Sequence, residues 1–177
     1  MLNDPIPPHV DPRKLADRGT SVEGSVPLAD LERLCDPLAD NLGTVQAKFV
    51  FERDEQRAVV FHSELDVEVK MVCQRCLELV TLPIHSECTY AVVKEGANTQ
   101  SLPKGYDVLE LGEDQLDVDL RAVIEDELLL ALPIVPVHDP KECQQPAGAD
   151  EPEPSVDEVP RSNPFSVLAQ LKRDPNV

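Results

Sequence analysis

The sequence predicts an α+β fold: a mostly antiparallel sheet, open or barrel-like, with one helix packed on it, then a disordered acidic linker and a short C-terminal helix. Three observations carry this. Several runs between residues 45 and 93 alternate apolar and polar side chains with the period of a strand. One stretch before Pro133 has helical spacing, and the composition turns acidic and proline-rich after His138. A length of 177 residues suits one domain with a core and is short for a second full one. The expected division is 1–138 for the domain, 139–160 for the linker and 161–177 for a docking helix.

The elements follow in order. Pro5, Pro7, Pro8 and Pro12 should hold the first dozen residues extended, since proline fixes φ and disfavours a helical residue before it. Pro27 to Leu34 reads as a short helix with Pro27 in its first turn and Leu28, Leu31 and Leu34 on one face. Pro37 ends it. Val45, Ala47, Phe49 and Phe51 then share one face of a strand, and Arg53 to Gln56 is a polar turn. Ala58 to Phe61 returns as a second strand. Leu65, Val67, Val69 and Met71 alternate with Asp66, Glu68 and Lys70 in the clearest strand pattern. Leu79 to Ile84 is a further strand, broken or bulged at Pro83, resuming from Thr89 to Val93. Strands joined by polar turns with no helical crossover fit an antiparallel meander.

Lys94 to Gly105 reads as an exposed loop and Tyr106 to Leu111 as a strand. Asp119 offers an N-cap for a helix from Leu120 to Leu132, with Val123, Ile124 and Leu128 facing the core, and Pro133 stops it. From Asp139 to Pro160 there are seven acids, one lysine and five prolines, the composition of a disordered linker. Asn163-Pro164 then caps a last amphipathic helix bearing Phe165, Leu168 and Leu171, with Lys172 and Arg173 at its C-terminal end.

Charge and composition exclude several functions. Acids number 34 against 16 Lys plus Arg, a formal net charge of -18. Binding nucleic acid by neutralising phosphates needs clustered cations, so this balance points to a basic partner or to solubility. Four Phe, two Tyr and no Trp leave little for a base-stacking platform. No segment has the length of a membrane span or the layout of a secretion signal, so the expected location is the cytoplasm, with no membrane partner. There is no serine elbow, no Gly-rich phosphate loop and no HExxH, and neither an enzyme nor a small-molecule substrate is expected.

Cys73-Gln74-Arg75-Cys76 is the sharpest chemical feature. Two thiolates separated by two residues on a turn can share one zinc, and His138 and Cys143 could complete the set. The competing reading is that Cys73 ends a buried strand and Cys76 lies on a hairpin turn. A redox pair lacks its usual βαβ surroundings. Cys35 and Cys88 read as small buried hydrophobes. In Glu125-Asp126-Glu127, successive helix positions point about 100° apart and cannot converge on one site. Glu127 lies nearest the apolar face and reads as a partner for Arg75 or another cation at a buried edge.

Cys73 to Leu77, Glu125 to His138 (EDELLLALPIVPVH) and Asn163 to Lys172 (NPFSVLAQLK), in that order, resemble the bacterial YceD family, the large ribosomal RNA subunit accumulation proteins. The resemblance covers most of the chain. It implies a non-enzymatic role in accumulation or processing of 23S ribosomal RNA, and so in ribosome biogenesis. Other branches of the family carry extra cysteine pairs after the proline-stopped helix; here Cys143 alone stands there. The expected partners are large-subunit ribosome assembly intermediates or a basic ribosomal protein, with rRNA contact indirect or minor through Arg75, Lys70, Lys172 and Arg173. Acids from Asp107 to Asp126 and in the linker would steer the encounter. Arg75, Glu127, Phe165, Leu168, Leu171 and Lys172 are the candidate partner-binding residues. Two alternatives stand beside this: a zinc-dependent hydrolase or nuclease on precursor rRNA with Cys73, Cys76 and His138 as ligands, or a general protein-binding adaptor.

Overall fold

Residues 4–11 are free of helix, as their prolines predict, and the first helix begins at Pro12. The computed structural model describes residues 4–99, 102–112 and 114–143. Within it, strand β1 is His9–Val10 and helix α1 is Pro12–Arg18. The Asp11 carboxylate accepts the N–H groups of Arg13 and Lys14, and proline in the first turn loses no helical bond, so Pro12 opens the helix where Pro5, Pro7 and Pro8 stay outside it. Gly19 closes it in the left-handed conformation at φ 59°.

Strand β2, Ser21–Pro27, gave no clear alternation in the sequence. It forms because the edge of the next strand receives it, from Ser21↔Val50 to Pro27↔Thr44. Gly24 is required here: a Cβ would sit 2.3 Å from the Asp4 carbonyl oxygen, where residues 4–6 run along the outer edge of β2. Pro27 ends this strand instead of opening a helix. Leu28–Asp30 is a 3-10 turn and α2 is only Glu32–Cys35, yet Leu28, Leu31 and Leu34 are all fully buried. A three-residue spacing keeps one face in either helix type.

The centre of the sheet is β3 Thr44–Arg53, β4 Val59–Val72 and β5 Leu79–Lys94. The two expected segments of β4 are one strand, as are those of β5. The β4–β5 register runs unbroken from Val59↔Val92 to Val72↔Leu79, with no bulge at Pro83. Pro83 is tolerated because β5 has only β4 beside it there; its other neighbour, β6 (Asp107–Leu111), starts opposite Tyr90. β6 runs parallel to β5, the exception to an otherwise antiparallel order β2-β3-β4-β5-β6. The sheet ends at β2 and β6 and is open, so the barrel-like alternative fails. Its core face is filled by helices instead.

Those helices come from three places. α1 packs on β3 and β4, while α3 (Leu120–Ala131) packs on β5 and meets α2. Asp119 caps α3 by accepting from Arg121 and Ala122, and Val123, Ile124 and Leu128 are buried as the spacing predicts. Strand β7, Val118–Asp119, pairs with β1 and ties the N-terminal segment to the start of α3. Phe49, Phe51, Phe61, Leu65 and Leu120 are fully buried, each contributing roughly 1.5–3 kcal/mol of apolar burial. Tyr90 stacks on Phe61 at 5.0 Å between ring centroids.

The opposite face of the sheet carries Gln46, Lys48, Glu64, Asp66, His85 and Glu87 on β3 to β5. Among the described residues, no helix is long and apolar enough to cross a membrane. The expected linker beyond Cys143, and the terminal helix with Phe165, Leu168, Leu171 and Lys172, lie outside the described residues.

Candidate metal centre

β4 and β5 are joined by residues 73–78, a hairpin loop closed by the pair Val72↔Leu79. Two backbone bonds shape it: Leu77 N–H donates to the Cys73 carbonyl and Cys73 N–H to the Glu78 carbonyl, both at 2.9 Å. The turn aims both cysteine sulfurs to one side, and Leu77 completes it at φ 63°. The chain after α3 comes alongside, with Gln74 N–H donating to the Pro136 carbonyl at 2.9 Å. Asp139 then turns the backbone, its carbonyl accepting from Glu142 and Cys143, and brings Cys143 back to the hairpin. Cys143 belongs to the same compact unit as the sheet.

Cys73, Cys76, His138 and Cys143 therefore meet, with one donor atom from each lying within 4.8 Å of all the others. Cys73 Sγ is 3.9 Å from Cys143 Sγ, and Cys76 Sγ is 3.4 Å from His138 Nδ1. Tetrahedral zinc with sulfur at about 2.3 Å and nitrogen at about 2.0 Å has ligand–ligand edges of roughly 3.5–3.8 Å, close to these two separations. His138 Nε2 lies 2.9 Å from the Leu79 carbonyl oxygen. A carbonyl only accepts, so Nε2 is the donor in this contact and Nδ1 is the nitrogen that faces the sulfurs.

The thiols are unequal. Burial works to raise Cys73, but the backbone N–H groups of Cys76, His138 and Arg75, with the Cys76 side chain, outweigh it and bring the thiol down to about 5. For Cys76 the Glu78 N–H pulls downward, while burial and the Cys73 and Cys143 sulfurs push harder, and the net shift is upward. Arg75 Nε donates to Cys143 Sγ at 2.8 Å and its Nη2 to the His138 carbonyl at 3.3 Å. The Cys143 sulfur in turn holds the guanidinium more firmly charged.

Arg75 does not pair with Glu127. The face of α3 bearing Glu127 turns toward β5, where the hydroxyls of Tyr90 and Ser86 donate to its carboxylate. Glu127 is buried, and among the described residues its partners are these neutral donors and no cation. Glu125 and Asp126 point elsewhere, to Arg33 of α2 at 2.9 and 2.7 Å. Thus three adjacent acids serve two separate contacts, as the helical turn requires.

Sequence reasoning missed a second group, Cys88, Asp107 and Glu127. Cys88 is not simply a buried hydrophobe: its thiol donates to the Asp107 carboxylate at 2.9 Å. Burial first, then Asp107, pushes that thiol up to about 12, so it stays protonated and serves as the donor in this contact. Cys35 likewise donates, to the Leu28 carbonyl at 3.1 Å. The parallel placement of β6 creates the Cys88–Asp107 contact, and no motif announces it.

No solved structure matches the chain. A curated relative from Haemophilus influenzae, named large ribosomal RNA subunit accumulation protein YceD, is 34% identical over 169 residues, covering 95% of this chain and 97% of its own. A family model described as large ribosomal RNA subunit accumulation protein YceD matches residues 61–172, the stretch that holds the hairpin cysteines, α3, His138 and Cys143. The three motifs that suggested a resemblance thus fall inside one continuous match, and the chain belongs to the YceD family.

Proposed function

We propose that this chain is a non-enzymatic factor in ribosome biogenesis that promotes accumulation of large-subunit ribosomal RNA by docking on a basic large-subunit protein. The observation that carries the reading is 34% identity over 95% of the chain to a relative named for accumulation of the large ribosomal RNA subunit. The choice of a protein partner rests on charge. A net charge of -18 opposes contact with phosphate and favours encounter with a cationic polypeptide. Exposed acids such as Glu110 and Asp117 add to that field.

The four-residue cluster is read as a structural zinc site. Cys73, Cys76, His138 and Cys143 would hold the ion, which would supply a rigid cross-link between the hairpin and the segment after α3. Three thiolates around a divalent ion leave one negative charge, and Arg75 sits beside Cys143 to balance it. A hydrolytic zinc needs an open coordination position and a placed general base. In this reading Cys143 would be the fourth donor and would take the position that a hydrolase leaves to water.

The test is affinity capture of the tagged full chain from growing cells, with and without ribonuclease, across a salt series. The reading expects one or a few basic large-subunit proteins to remain after nuclease and to dissociate steeply as salt rises. Salt-insensitive association that disappears with the RNA overturns it.

A further inference from the structure

We propose that the aliphatic collar around the cysteine hairpin is the docking surface for that partner, a basic polypeptide segment presenting aliphatic side chains; this rests on the protein-docking reading above. Ten large hydrophobic residues are conspicuously exposed among the described residues, and seven belong to two runs. Val72, Leu77 and Leu79 flank the hairpin, while Leu130, Ile134, Val135 and Val137 lie on the last turn of α3 and the extended segment after it. The bonds from Gln74 to Pro136 and between His138 and Leu79 hold the hairpin and that segment side by side. Leu77 is 71% exposed and Ile134 is 99% exposed. Together the side chains present on the order of several hundred Å² of apolar surface, the size that marks an interaction site on a soluble protein.

A second observation concerns Leu77 alone. It is held at φ 63°, a conformation that costs a non-glycine residue about 1–2 kcal/mol and that glycine adopts freely. Its side chain points to solvent, so packing within the domain does not compensate this. The turn sets this φ; that leucine stands there in place of glycine, with its side chain exposed, fits a partner that covers the side chain.

The chemistry of the occupant follows from the surroundings. Glu78 is exposed between Leu77 and Leu79, and Asp139 and Glu142 are exposed beyond Val137. Of the cations nearby, Arg75 is engaged with Cys143 and His138, which leaves Lys141 at the rim. An aliphatic floor with an acidic rim repels phosphate and offers no ring for a base to stack on. It complements a segment that mixes Leu, Ile or Val with Lys and Arg, and the acids steer its approach.

The test uses the full chain and purified large-subunit ribosomal proteins, titrated one at a time by fluorescence anisotropy, with a 23S rRNA transcript as a further probe. The expected result is saturable binding to at least one basic protein that weakens 10-fold or more in Ile134→Ser/Val135→Ser. Leu77→Gly separates binding from folding: it should raise Tm by relieving the turn, yet weaken binding several-fold. Glu52→Gln, on β3, should change neither. Unchanged binding in both collar variants overturns this surface and leaves the docking reading standing. Binding to the transcript but to no basic protein overturns both. Strong protection of the Leu77 and Ile134 side chains from hydroxyl-radical labelling in the free full chain also overturns the proposal, because the collar would then be covered by the protein itself.

Discussion

Arg75 and Cys143 are joined across 68 positions of chain, guanidinium Nε to sulfur at 2.8 Å. Arg75 is fixed by the hairpin between β4 and β5, and Cys143 by the Asp139 turn. Their contact marks where the two halves of the candidate metal centre close. It leads to the first prediction. The purified chain should carry one zinc per molecule, lost in Cys73→Ser and in Cys143→Ser but kept in Cys88→Ser. Arg75→Gln should retain zinc while lowering affinity by about 10-fold, the usual effect of losing a group that orients a ligand. Elemental analysis and chelator competition measure both; equal zinc in wild type and Cys73→Ser would sink the site.

Glu127 is buried, and its carboxylate accepts from the hydroxyls of Tyr90 and Ser86. The phenol itself is pushed upward, first by burial and then by Glu127, so it remains a donor at all ordinary pH. Tyr90→Phe should cost about 1–3 kcal/mol, the penalty for a buried acceptor stripped of a donor. Adding Glu127→Leu should recover much of that loss, since removing both partners removes the unmet demand. Urea unfolding of the two single variants and the double variant decides it; additive losses would mean that the two residues are not coupled.

Gly24→Ala should displace residues 4–6 from the edge of β2. The new Cβ would meet a backbone oxygen at 2.3 Å, which no side-chain rotation relieves. A loss of about 1–3 kcal/mol is expected, with faster amide exchange at Ser25, whose N–H donates to the Asp4 carbonyl at 2.9 Å. Unaltered exchange there would show that the N-terminal segment accommodates the methyl.

Leu128 is fully buried on α3. Leu128→Ala should destabilise by about 2–5 kcal/mol through lost burial and the cavity left behind. Ile134→Ser, at a fully exposed position six residues on, should leave Tm within about a degree of wild type, as surface changes ordinarily do.

His85 lies between Asp66 at 2.8 Å and Glu87 at 3.3 Å, and hydrogen bonds to Asp66 and then Glu87 raise its pKa above the ordinary 6.5. A histidine raised on folding contributes stability that is full below 6.5 and lost as pH rises through the folded value. The unfolding midpoint of wild type relative to His85→Gln should therefore be higher at pH 5.5 and converge by pH 8.5. A difference that grows with pH instead would reverse the assignment. The contact is exposed, and salt should shrink the effect.

The central strands and the long helix were legible because their signals are local. Val45 to Phe51 and Leu65 to Met71 alternate so regularly that only one face can be buried, and Asp119 with Pro133 brackets α3 on both sides. The family could be named from the hairpin cysteines and the two proline-marked segments. What stayed hidden depends on neighbours. β2 has no alternation of its own and exists because β3 offers it an edge. Pro27 suits a strand end as well as a helix start, and only the packing of Leu28, Leu31 and Leu34 chooses between them. Pro83 reads as a breaker until its strand proves to have a free side.

By itself, the sequence determined the class of fold, the positions of its strongest elements and the residue types able to hold a metal, because each follows from short-range spacing and side-chain chemistry. Only the tertiary structure decided that the sheet stays open, that Arg75 serves Cys143 while Glu127 serves Tyr90 and Ser86, and that Cys73, Cys76, His138 and Cys143 share one point. Those outcomes depend on contacts 37 to 70 positions apart. Such contacts are set by which edge and which face each element finds free, a property of the assembled core that no local window of sequence contains.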